Sequence, residues 1–467
     1  MVSYHPPAGT NQFSNTSLVT RAAMRFWQNT NAFARNVSRH YEKEFGQYNK
    51  IGAVLNIRYP NNFVVGQGAS IMETMNKVIN LTVPLAVTTQ SHVAIPILTS
   101  EQTLQLEEWA ENYVMPQVEA LIGNISENML NGLLPCIANV VFNNKGGGQI
   151  GTPTMAEWNR ARALLAINSA PLGALQAILN PVTQAATVTS LAGYFNPNMT
   201  IGAQTTEGKM TSRIFGISNW MEDQLVPMMT TGTYKSGATC TGTVTGDTGA
   251  PIQQAQYQSA VATPISCEIG VTGLNGTLNK GDFITIAGVN AVNEITHRDT
   301  GVLRQFVVLE DVASGATSIP ISPRIVPPNS DGSYAQFQNV TAAPANGAAI
   351  TPVLPSGFSY YRNMVYSPDA FTLAVVPLST DVGAADVSHE GKDGMHFRAI
   401  RWYDARYDEI ITRLDVLYGF AALRRTWGTC VVDPVGAAQD TTTVVMPVLP
   451  DNLTNSKKAV ETPKKGE

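Results

Sequence analysis

The chain has 467 residues, of which 44% are hydrophobic and only 14% are charged, with 38 Gly and 27 Pro. This composition excludes a coiled-coil rod and a charge-rich disordered chain, and the net charge of -5 argues against a dedicated nucleic-acid binder. Four cysteines without a CxxC pair cannot form a disulfide framework. Because neither a signal-peptide pattern nor an apolar run of membrane-spanning length occurs, we expect a soluble protein of a reducing compartment.

The N-terminal segment is basic and contains a short amphipathic helical pattern within residues 20–45. No Lys or Arg occurs between Lys77 and Lys145, and six acids lie in that gap. Two interpretations stay open. The charges form solvated faces, whose exposed pairs contribute about 0–1 kcal/mol each, or the basic arm lies against the acidic segment of this or a neighbouring chain. The residues concerned are Arg21, Arg25, Arg35 and Arg39 on the arm and Glu107, Glu108 and Glu111 in the gap.

Residues 49–88 read as an extended two-stranded hairpin. Alternation begins at Val54, a turn signal follows at Pro60-Asn61-Asn62, and a second β-rich run comes after it. Loops of this length are uncommon in compact domains, and little in the segment can form a core. We therefore expect a hairpin that packs on something else.

Residues 101–134 give the strongest helical signal of the chain. Thr99 and Gln102 fit a capping box, and apolar residues recur at steps of three and four from Leu106 to Leu133. A helix of this length would measure about 50 Å, and Pro116 should bend it near its middle. We interpret it as a spine that supports other elements.

The C-terminal two thirds alternate between helical and β patterns. A capped helix is predicted to start at Thr154, and strands are predicted at 282–287, 303–309, 318–321, 371–376 and 410–420. Residues 233–352 are dense in Gly, Thr, Ser and Val, which predicts an inserted antiparallel barrel or sandwich. Six arginines lie within 397–430, and the tail after residue 436 resembles a linker.

The sequence gives no positive support for catalysis. The glycines at 146–151 have phosphate-loop spacing, but Thr152 replaces the required Lys, so a glycine-rich turn is the better interpretation. His389 and His396 are too far apart for a zincin helix. Cys240 and Cys267 are expected to be small buried thiols. We predict no catalytic, cofactor or metal site.

Several stretches resemble one protein family. GDFITIAGVNAVN (281–293) is similar to its inserted domain, and NMVYSPDAFTLAVVPL (363–378) to the segment after that insertion. TRLDVLYGFAALR (412–424) is similar to its closing strand, and RYPNNFVVGQG (58–68) to its hairpin. In this order, from about residue 20 to 432, the chain resembles the P-22-like coat proteins of tailed bacteriophages, whose main fold is the HK-97-type capsid fold.

The resemblance implies an α+β architecture with an inserted antiparallel β-barrel. It implies a major capsid protein of the virion that forms hexameric and pentameric capsomers on a T=7-type icosahedral lattice. Scaffolding protein, a portal, packaged DNA contacted without sequence preference and, optionally, tail or decoration proteins would be its partners, with assembly in the host cytoplasm. The implied parts are an N-terminal arm (1–48), an extended hairpin loop (49–88), a peripheral domain with the spine helix (89–134), an axial domain in two parts (135–232 and 353–396), the inserted domain (233–352), closing peripheral strands (397–435) and a tail (436–467).

Candidate assembly contacts follow from the charged and exposed positions of these parts. Two other functions remain open from the sequence: a surface β-rich binding module of lectin or adhesin type, suggested by residues 233–352, and an enzyme with a dispersed active site. The candidate contact residues are Arg21, Arg25, Arg35, Arg39, Arg58, Tyr59, Phe63, Glu107, Glu108, Glu111, Asp247 and Asp282.

Overall fold

The computed structural model describes ten stretches of the chain, and all structural statements below concern them. Its α-helices are α1 (Ala32–Arg35), α2 (Glu42–Gln47), α3 (Met115–Leu133), α4 (Met155–Ile167) and α5 (Pro181–Ser190). None of these helices is long and apolar enough to cross a membrane. The described stretches are 32–47, 54–66, 81–98, 115–146, 148–190, 214–245, 265–328, 335–379, 386–392 and 395–435.

The same residues form twenty-one strands in five sheets. The first nine are β1 (Val54–Arg58), β2 (Thr82–Ala86), β3 (Thr89–Leu98), β4 (Asn139–Val141), β5 (Asn143–Gly146), β6 (Gln149–Gly151), β7 (Leu175–Leu179), β8 (Ile217–Glu222) and β9 (Met228–Thr230). The next six are β10 (Thr239–Thr245), β11 (Cys267–Thr272), β12 (Phe283–Val292), β13 (Asp299–Val308), β14 (Ser318–Ser322) and β15 (Asn346–Pro352). The last six are β16 (Ser359–Tyr366), β17 (Phe371–Val376), β18 (Asp386–Lys392), β19 (Met395–Asp404), β20 (Glu409–Ala422) and β21 (Gly428–Pro434).

Helix α3 is the described part of the predicted spine. Its 19 residues span about 28 Å. Residues 101–114 and the predicted cap lie outside the described stretches. The bend expected at Pro116, the second residue of the described part, therefore stays a prediction. The apolar stripe is confirmed for its part within the described residues. Its members there are buried in the main core: Val118, Leu121, Ile122, Ile125, Met129 and Leu133.

Strands β1 and β2 form the predicted hairpin, but its turn differs from the prediction. The ladder pairs Val54 with Ala86 and Arg58 with Thr82. The Tyr59 N–H then donates to the Leu81 carbonyl at 2.7 Å, so both strands continue outward past the ladder. The tight turn predicted at Pro60-Asn61-Asn62 is therefore wrong, because the chain does not reverse there.

One open sheet of six strands, the large sheet, has the order β4-β21-β16-β7-β8, with β9 also paired to β16. Helix α4 covers this sheet and packs Trp158 and Leu165 against Leu175 and Ala177. The predicted cap of α4 is confirmed, because Glu157 Oε2 accepts from the Thr154 N–H at 2.8 Å. Strands β5 and β6 form a small hairpin, which confirms the glycine-rich turn predicted at 146–151.

Strands β10 to β15 close into a barrel with the order β10-β11-β14-β13-β12-β15. The strands predicted at 282–287, 303–309 and 318–321 are β12, β13 and β14. The barrel has its own core, which contains Ile284, Phe306 and Ile319. Cys240 and Cys267 are buried in it as free thiols, as predicted.

The remaining sheet has the order β17-β20-β19-β18, with β3 also paired to β20. Asp415 lies at its centre on β20 and is fully buried. It accepts from Arg398 Nη2 and Arg413 Nε, both at 2.6 Å. Arg398 and Arg413 are thus both paired with the buried carboxylate of Asp415 inside the sheet. Part of the predicted Arg-rich segment therefore stabilises the subunit itself.

Candidate assembly surfaces

The described part of the N-terminal arm is packed on the body of the same chain. Phe33 is fully buried and makes edge-to-face contacts with Tyr366 at 5.6 Å and Phe371 at 6.1 Å between ring centres. Ala34 and Val37 join it in the main core with helix α3. This apolar contact anchors the described part of the arm to its own subunit.

The arm also extends the sheet edge at β17. Ser38 forms a parallel bridge with Thr372, and its carbonyl accepts from the Leu373 N–H at 3.1 Å. Glu42 Oε1 accepts from the Val375 N–H at 3.2 Å. Backbone groups that an edge strand would otherwise expose are therefore satisfied by the arm.

Burial raises the pKa of Glu42 to about 7, against the opposing effect of the nearby Arg39 charge. Arg39 is half-buried, and its Nη2 donates to the Ala34 carbonyl at 3.0 Å. Arg35 is exposed at the end of α1. Of the predicted arm contacts, Arg35 thus lies on the surface, whereas Arg39 takes part in the packing of the arm on its own chain.

The base of the β1–β2 hairpin packs on the β17–β20 sheet of the same chain. Ile57, Leu85 and Val87 are buried in one cluster with Ala374, and Leu417 packs against it. The hairpin is therefore anchored to its own subunit, which corrects the expectation that it packs entirely on something else.

The outer part of the hairpin is different. Phe63 is 55% exposed and Val65 is 87% exposed, and the side chain of Arg58 points to solvent on β1. Tyr59, by contrast, is covered by Arg424, whose guanidinium carbon lies 4.0 Å from the ring centre. Burial raises the pKa of the Tyr59 hydroxyl. Phe63 and Arg58 are placed where another subunit could reach them, and Tyr59 is placed in an intrachain contact.

Asp282 lies at the base of the barrel, with 6% of its surface exposed. Its Oδ2 accepts from the N–H groups of Gly232 at 2.9 Å and Asn279 at 2.8 Å. Burial raises the pKa of this carboxyl to about 6, although those two N–H groups and Arg362 oppose the shift. The carboxylate is therefore enclosed and used within the chain, and the prediction of Asp282 as a contact to a neighbour stays a prediction.

The other predicted contacts lie outside the described residues. These are the arm residues that precede α1, the acidic residues that precede α3 and one aspartate that follows β10 in the sequence. The pairing of a basic arm with an acidic spine accordingly stays a prediction. The residues concerned are Arg21, Arg25, Glu107, Glu108, Glu111 and Asp247.

The barrel is joined to the large sheet by a buried interface that the sequence reasoning missed. Arg362 on β16 is fully buried, and it donates to the carbonyls of Gly281 at 2.8 Å and Ile137 at 3.2 Å. Gln305 on β13 exchanges two hydrogen bonds with the backbone of Val140, at 2.9 and 3.1 Å. A charged residue inside the run SYYRNMVY was the available signal, since an arginine at such a position needs buried partners.

Apolar residues fill the same interface. Phe283 and Val307 of the barrel are buried with Val140, Phe358 and Val432 of the large-sheet region. Two connecting segments are also paired, because Thr231 Oγ1 donates to the Pro355 carbonyl at 2.6 Å and accepts from the Phe358 N–H at 2.8 Å. The barrel is thus packed on the large sheet and held through both of its connections.

The described residues contain no group of three or more His, Cys, Asp or Glu side chains that could hold a metal ion. Strands β18 and β19 form a hairpin in which Gly391 pairs with His396. His389 and His396 therefore lie on paired strands and not on the helix that a zincin site requires.

The chain is similar to known coat and capsid proteins. The sequence profile of the family described as "P22 coat protein - gene protein 5" matches residues 11–429. Among curated proteins no match is found. Three of the similar solved structures are the capsid of the cyanophage P-SCSP1u (9% identity, 82% of this chain and 84% of that chain, TM-score 0.40), the capsid of Ralstonia phage GP4 (7%, 83% and 84%, 0.39) and the CUS-3 coat protein I-domain (33%, 26% and 93%, 0.16).

The family match covers the arm, the hairpin, the spine, the large sheet and the barrel in one alignment. It supports the predicted α+β fold of HK-97 type with an inserted barrel, and it does not favour the lectin-like alternative. Homo-oligomeric capsomers and a place in the virion follow from the same membership. The chain belongs to the P22 coat protein family, as a major capsid protein of a tailed bacteriophage.

Proposed function

We propose that this coat protein assembles with a scaffolding protein and a portal into an icosahedral procapsid that expands as DNA is packaged. Hexameric and pentameric capsomers on a T=7-type lattice, formed in the host cytoplasm, would build the shell. Tail or decoration proteins would be optional partners. The domain boundaries given above belong to this proposal, and so does a purely structural, non-enzymatic role.

The observation that carries the proposal is the contrast between the two ends of the hairpin. Its base is buried on the β17–β20 sheet, whereas Phe63 and Val65 farther out are exposed. An anchored projection with exposed apolar residues suits a contact with the next subunit. A stable contact between subunits buries at least about 1,000 Å², and head-to-tail contacts of this kind close into rings and shells.

Charge supports the same proposal for the arm. Arg35 on α1 is an exposed base, and the acidic residues Glu107, Glu108 and Glu111 are the proposed partners of the arm. Exposed ion pairs contribute about 0–1 kcal/mol each. Weak pairs of this kind allow incorrect contacts to dissociate while many correct contacts add up.

Packaged DNA would be contacted without sequence preference. Such contacts depend mainly on phosphate charge and weaken with salt. The chain carries a net charge of -5, so its attraction for DNA is small overall. A shell of this charge encloses DNA without binding it tightly.

The test is co-expression with the scaffolding protein of the same phage, followed by electron microscopy. The wild type should form closed shells. A double variant Phe63→Ser and Val65→Ser should remain soluble and folded by circular dichroism but lose most particles. Val182→Ser, which alters an exposed apolar residue on α5 (61% exposed), is the matched control and should have the smaller effect.

A second set of variants tests the arm. Reversing Arg21, Arg25 and Arg35 to Glu should reduce particle yield at unchanged subunit folding, whereas the triple change to Lys should preserve yield because it keeps the charge. Equal yields for the Glu and Lys triples would reject charge pairing by the arm. A protein that stays monomeric with its scaffold present would reject the assembly proposal itself.

A further inference from the structure

A cavity of about 60 Å³ lies where the base of the hairpin meets the barrel. This is roughly four times the space that one buried water requires, which matches the four carbon atoms of a leucine side chain. Five of its ten lining residues are aromatic or aliphatic, and they come from both parts of the chain: Tyr59 and Leu81 of the hairpin, and Pro323, Val326 and Phe337 of the barrel region. The cavity therefore suits one apolar side chain.

Contacts within the chain hold the walls of this cavity together. Gln336 Nε2 donates to the Asn62 carbonyl at 2.6 Å, which ties the hairpin to the barrel region. On the outside, Ile295 is 73% exposed and directly follows Glu294, which lines the cavity. A preformed, partly apolar cavity beside an exposed isoleucine is typical of a surface on which a peptide docks.

The sequence of the tail, which lies outside the described stretches, supplies a peptide of the right kind. Within residues 436–467 the run VVMPVLP (444–450) is apolar and carries no charge, and mainly polar residues lie on both sides of it. Its two prolines favour an extended backbone before any contact is made. Less conformational entropy is therefore lost when such a run docks.

The tail is long enough to bring this run to the cavity of its own chain. Thr426 lines the cavity, and Val435, whose N–H donates to the Ser359 carbonyl at 2.9 Å, is the last described residue. The nine positions between Thr426 and Val435 cover at most about 30 Å. From Val435 to Leu449 the chain spans up to about 46 Å when extended, so Leu449 can reach the cavity with length to spare.

We propose that residues 444–450 dock at this cavity of their own chain, with the side chain of Leu449 filling it. Met446 has as many side-chain heavy atoms, but leucine loses less rotamer entropy on burial. Because the run is tethered, its effective concentration at the cavity is on the order of millimolar, so a weak contact is sufficient. The docked run joins the hairpin base, the barrel and the tail in a single subunit, and this inference does not depend on the assembly proposed above.

The first experiment is photo-crosslinking in the full-length, unassembled protein. A photoreactive benzoylphenylalanine in place of Val448, next to the proposed anchor, should crosslink to cavity walls such as Tyr59 or Phe337, as identified by mass spectrometry. The same label in place of Val460, an apolar tail residue outside the run, is the matched control and should give few of these crosslinks. Crosslinks to other surfaces would reject the cavity, and crosslinks between isotope-labelled and unlabelled chains would reject docking within one chain.

The second experiment is amide hydrogen exchange at Tyr59, whose N–H donates to the Leu81 carbonyl in the cavity wall. The docked run should stabilise this hydrogen bond against local opening, so Leu449→Asp should raise the exchange rate at least about tenfold. Val460→Asp adds the same charge outside the run and should leave the rate unchanged. If Leu449→Asp has no effect, water or another segment occupies the cavity and the proposal is wrong.

A variant of the wall tests the same contact from the other side. Phe337→Asp should raise the exchange rate at Tyr59 in the wild-type background but not further in Leu449→Asp, because the two residues belong to one contact. Additive effects of the two substitutions would show that they act separately and would reject the pairing. If Phe337→Asp fails to fold, the crosslinks from position 448 and the exchange rate in Leu449→Asp decide.

Discussion

The guanidinium carbon of Arg362 lies 4.6 Å from the centre of the Phe283 ring. Through this buried cation–π contact a strand of the large sheet meets the first residue of a barrel strand. The same guanidinium donates to the carbonyls of Gly281 and Ile137. One side chain thus satisfies backbone groups on both sides of the interface between barrel and sheet.

Replacing this arginine should destabilise the whole subunit. Arg362→Met leaves the carbonyls of Gly281 and Ile137 without these donors, and we expect a loss of about 3 kcal/mol in the free energy of unfolding. Urea denaturation, monitored by tryptophan fluorescence, measures this loss of stability. Arg406→Met, which removes an exposed arginine, should change stability by less than about 0.5 kcal/mol; equal losses in the two variants would contradict a special role for Arg362.

The two ion pairs of Asp415 should differ in importance. Asp415→Asn leaves the nearly buried Arg398 without its counter-charge, so we expect a loss of about 3 kcal/mol. The Arg413 side chain is 32% exposed, and water compensates for part of its pairing, so Arg413→Gln should cost less than about 1 kcal/mol. Denaturant midpoints of the two variants give the comparison, and the reverse order would show that the exposed pair dominates.

Gly419 on β20 is the point where the hairpin base crosses the sheet. A methyl group there would overlap the carbonyl of Ala86 on β2, which is backbone and has little room to move. We expect Gly419→Ala to cost about 1–3 kcal/mol and to displace the hairpin.

Gly123 on α3 is the matched control for this substitution. A methyl group there meets nothing within 4 Å, so Gly123→Ala should stabilise the helix by about 0.5–1 kcal/mol. Thermal unfolding of both variants is the measurement. A stabilised Gly419→Ala would mean that β2 does not lie against β20 in solution.

Packing of the arm on β17 should depend on pH. The pKa of Glu42 rises from 4.5 to about 7 in the folded chain, so the packed arm binds a proton more readily than the free arm. The stabilisation of the packed arm by the protonated Glu42 carboxyl is fully present below pH 4.5 and is lost as the pH rises through 7. Arg39, the charged side chain that acts on this carboxyl, opposes the shift and does not reverse its sign.

Amide hydrogen exchange at Leu373 and Val375 measures this effect, since both N–H groups donate to the arm. After correction for intrinsic exchange rates, their protection should be greater at pH 5.5 than at pH 8. Glu42→Gln keeps an acceptor and removes the titration, so protection in that variant should be nearly independent of pH over this range. Protection that increases with pH in the wild type would contradict the mechanism.

Helices and strands whose formation depends on neighbouring residues could be predicted from the sequence. The apolar stripe of α3 and the β-rich runs of β12, β13 and β20 are properties of neighbouring residues, and strands were predicted at those runs. Gln305 pairs with Val140 across 165 positions of sequence, and such a pairing leaves no periodic signal. The burial of Asp282 was missed for a related reason, since one of its two N–H donors, Gly232, lies 50 positions away in the sequence.

The hairpin shows where the same reasoning went wrong. Pro60-Asn61-Asn62 has the composition of a turn, but composition does not reveal whether the flanking strands have stopped pairing. The hydrogen bond from Tyr59 to Leu81 keeps them together beyond the ladder. The contacts of Tyr59 and Asn62 with Arg424 and Gln336 hold this segment against other parts of the chain, and tertiary contacts of this kind override a turn signal.

The inserted segment should fold by itself but with reduced stability. Residues 233–352 include all six barrel strands and the core around Ile284 and Phe306. Separation from the chain exposes Phe283 and Val307, which are buried against the large-sheet region in the subunit, and each exposed side chain of this size costs about 1.5–3 kcal/mol. For the isolated segment we expect a β-type circular dichroism spectrum and dispersed amide signals in the NMR spectrum. Its unfolding midpoint should lie below that of the barrel in the full chain.

Two substitutions distinguish the surface of the barrel that packs on the large sheet from the core of the barrel itself. Val307→Thr should cost little there, because Val307 already contacts solvent, whereas the same change in the full chain puts a hydroxyl into a buried interface and should cost more than about 1 kcal/mol. Phe306→Ala, in the core of the barrel itself, should cost about 3–5 kcal/mol in both contexts. A random-coil spectrum would mean that the barrel depends on the large sheet to fold, and equal costs of Val307→Thr in both contexts would mean that the interface is not closed in solution.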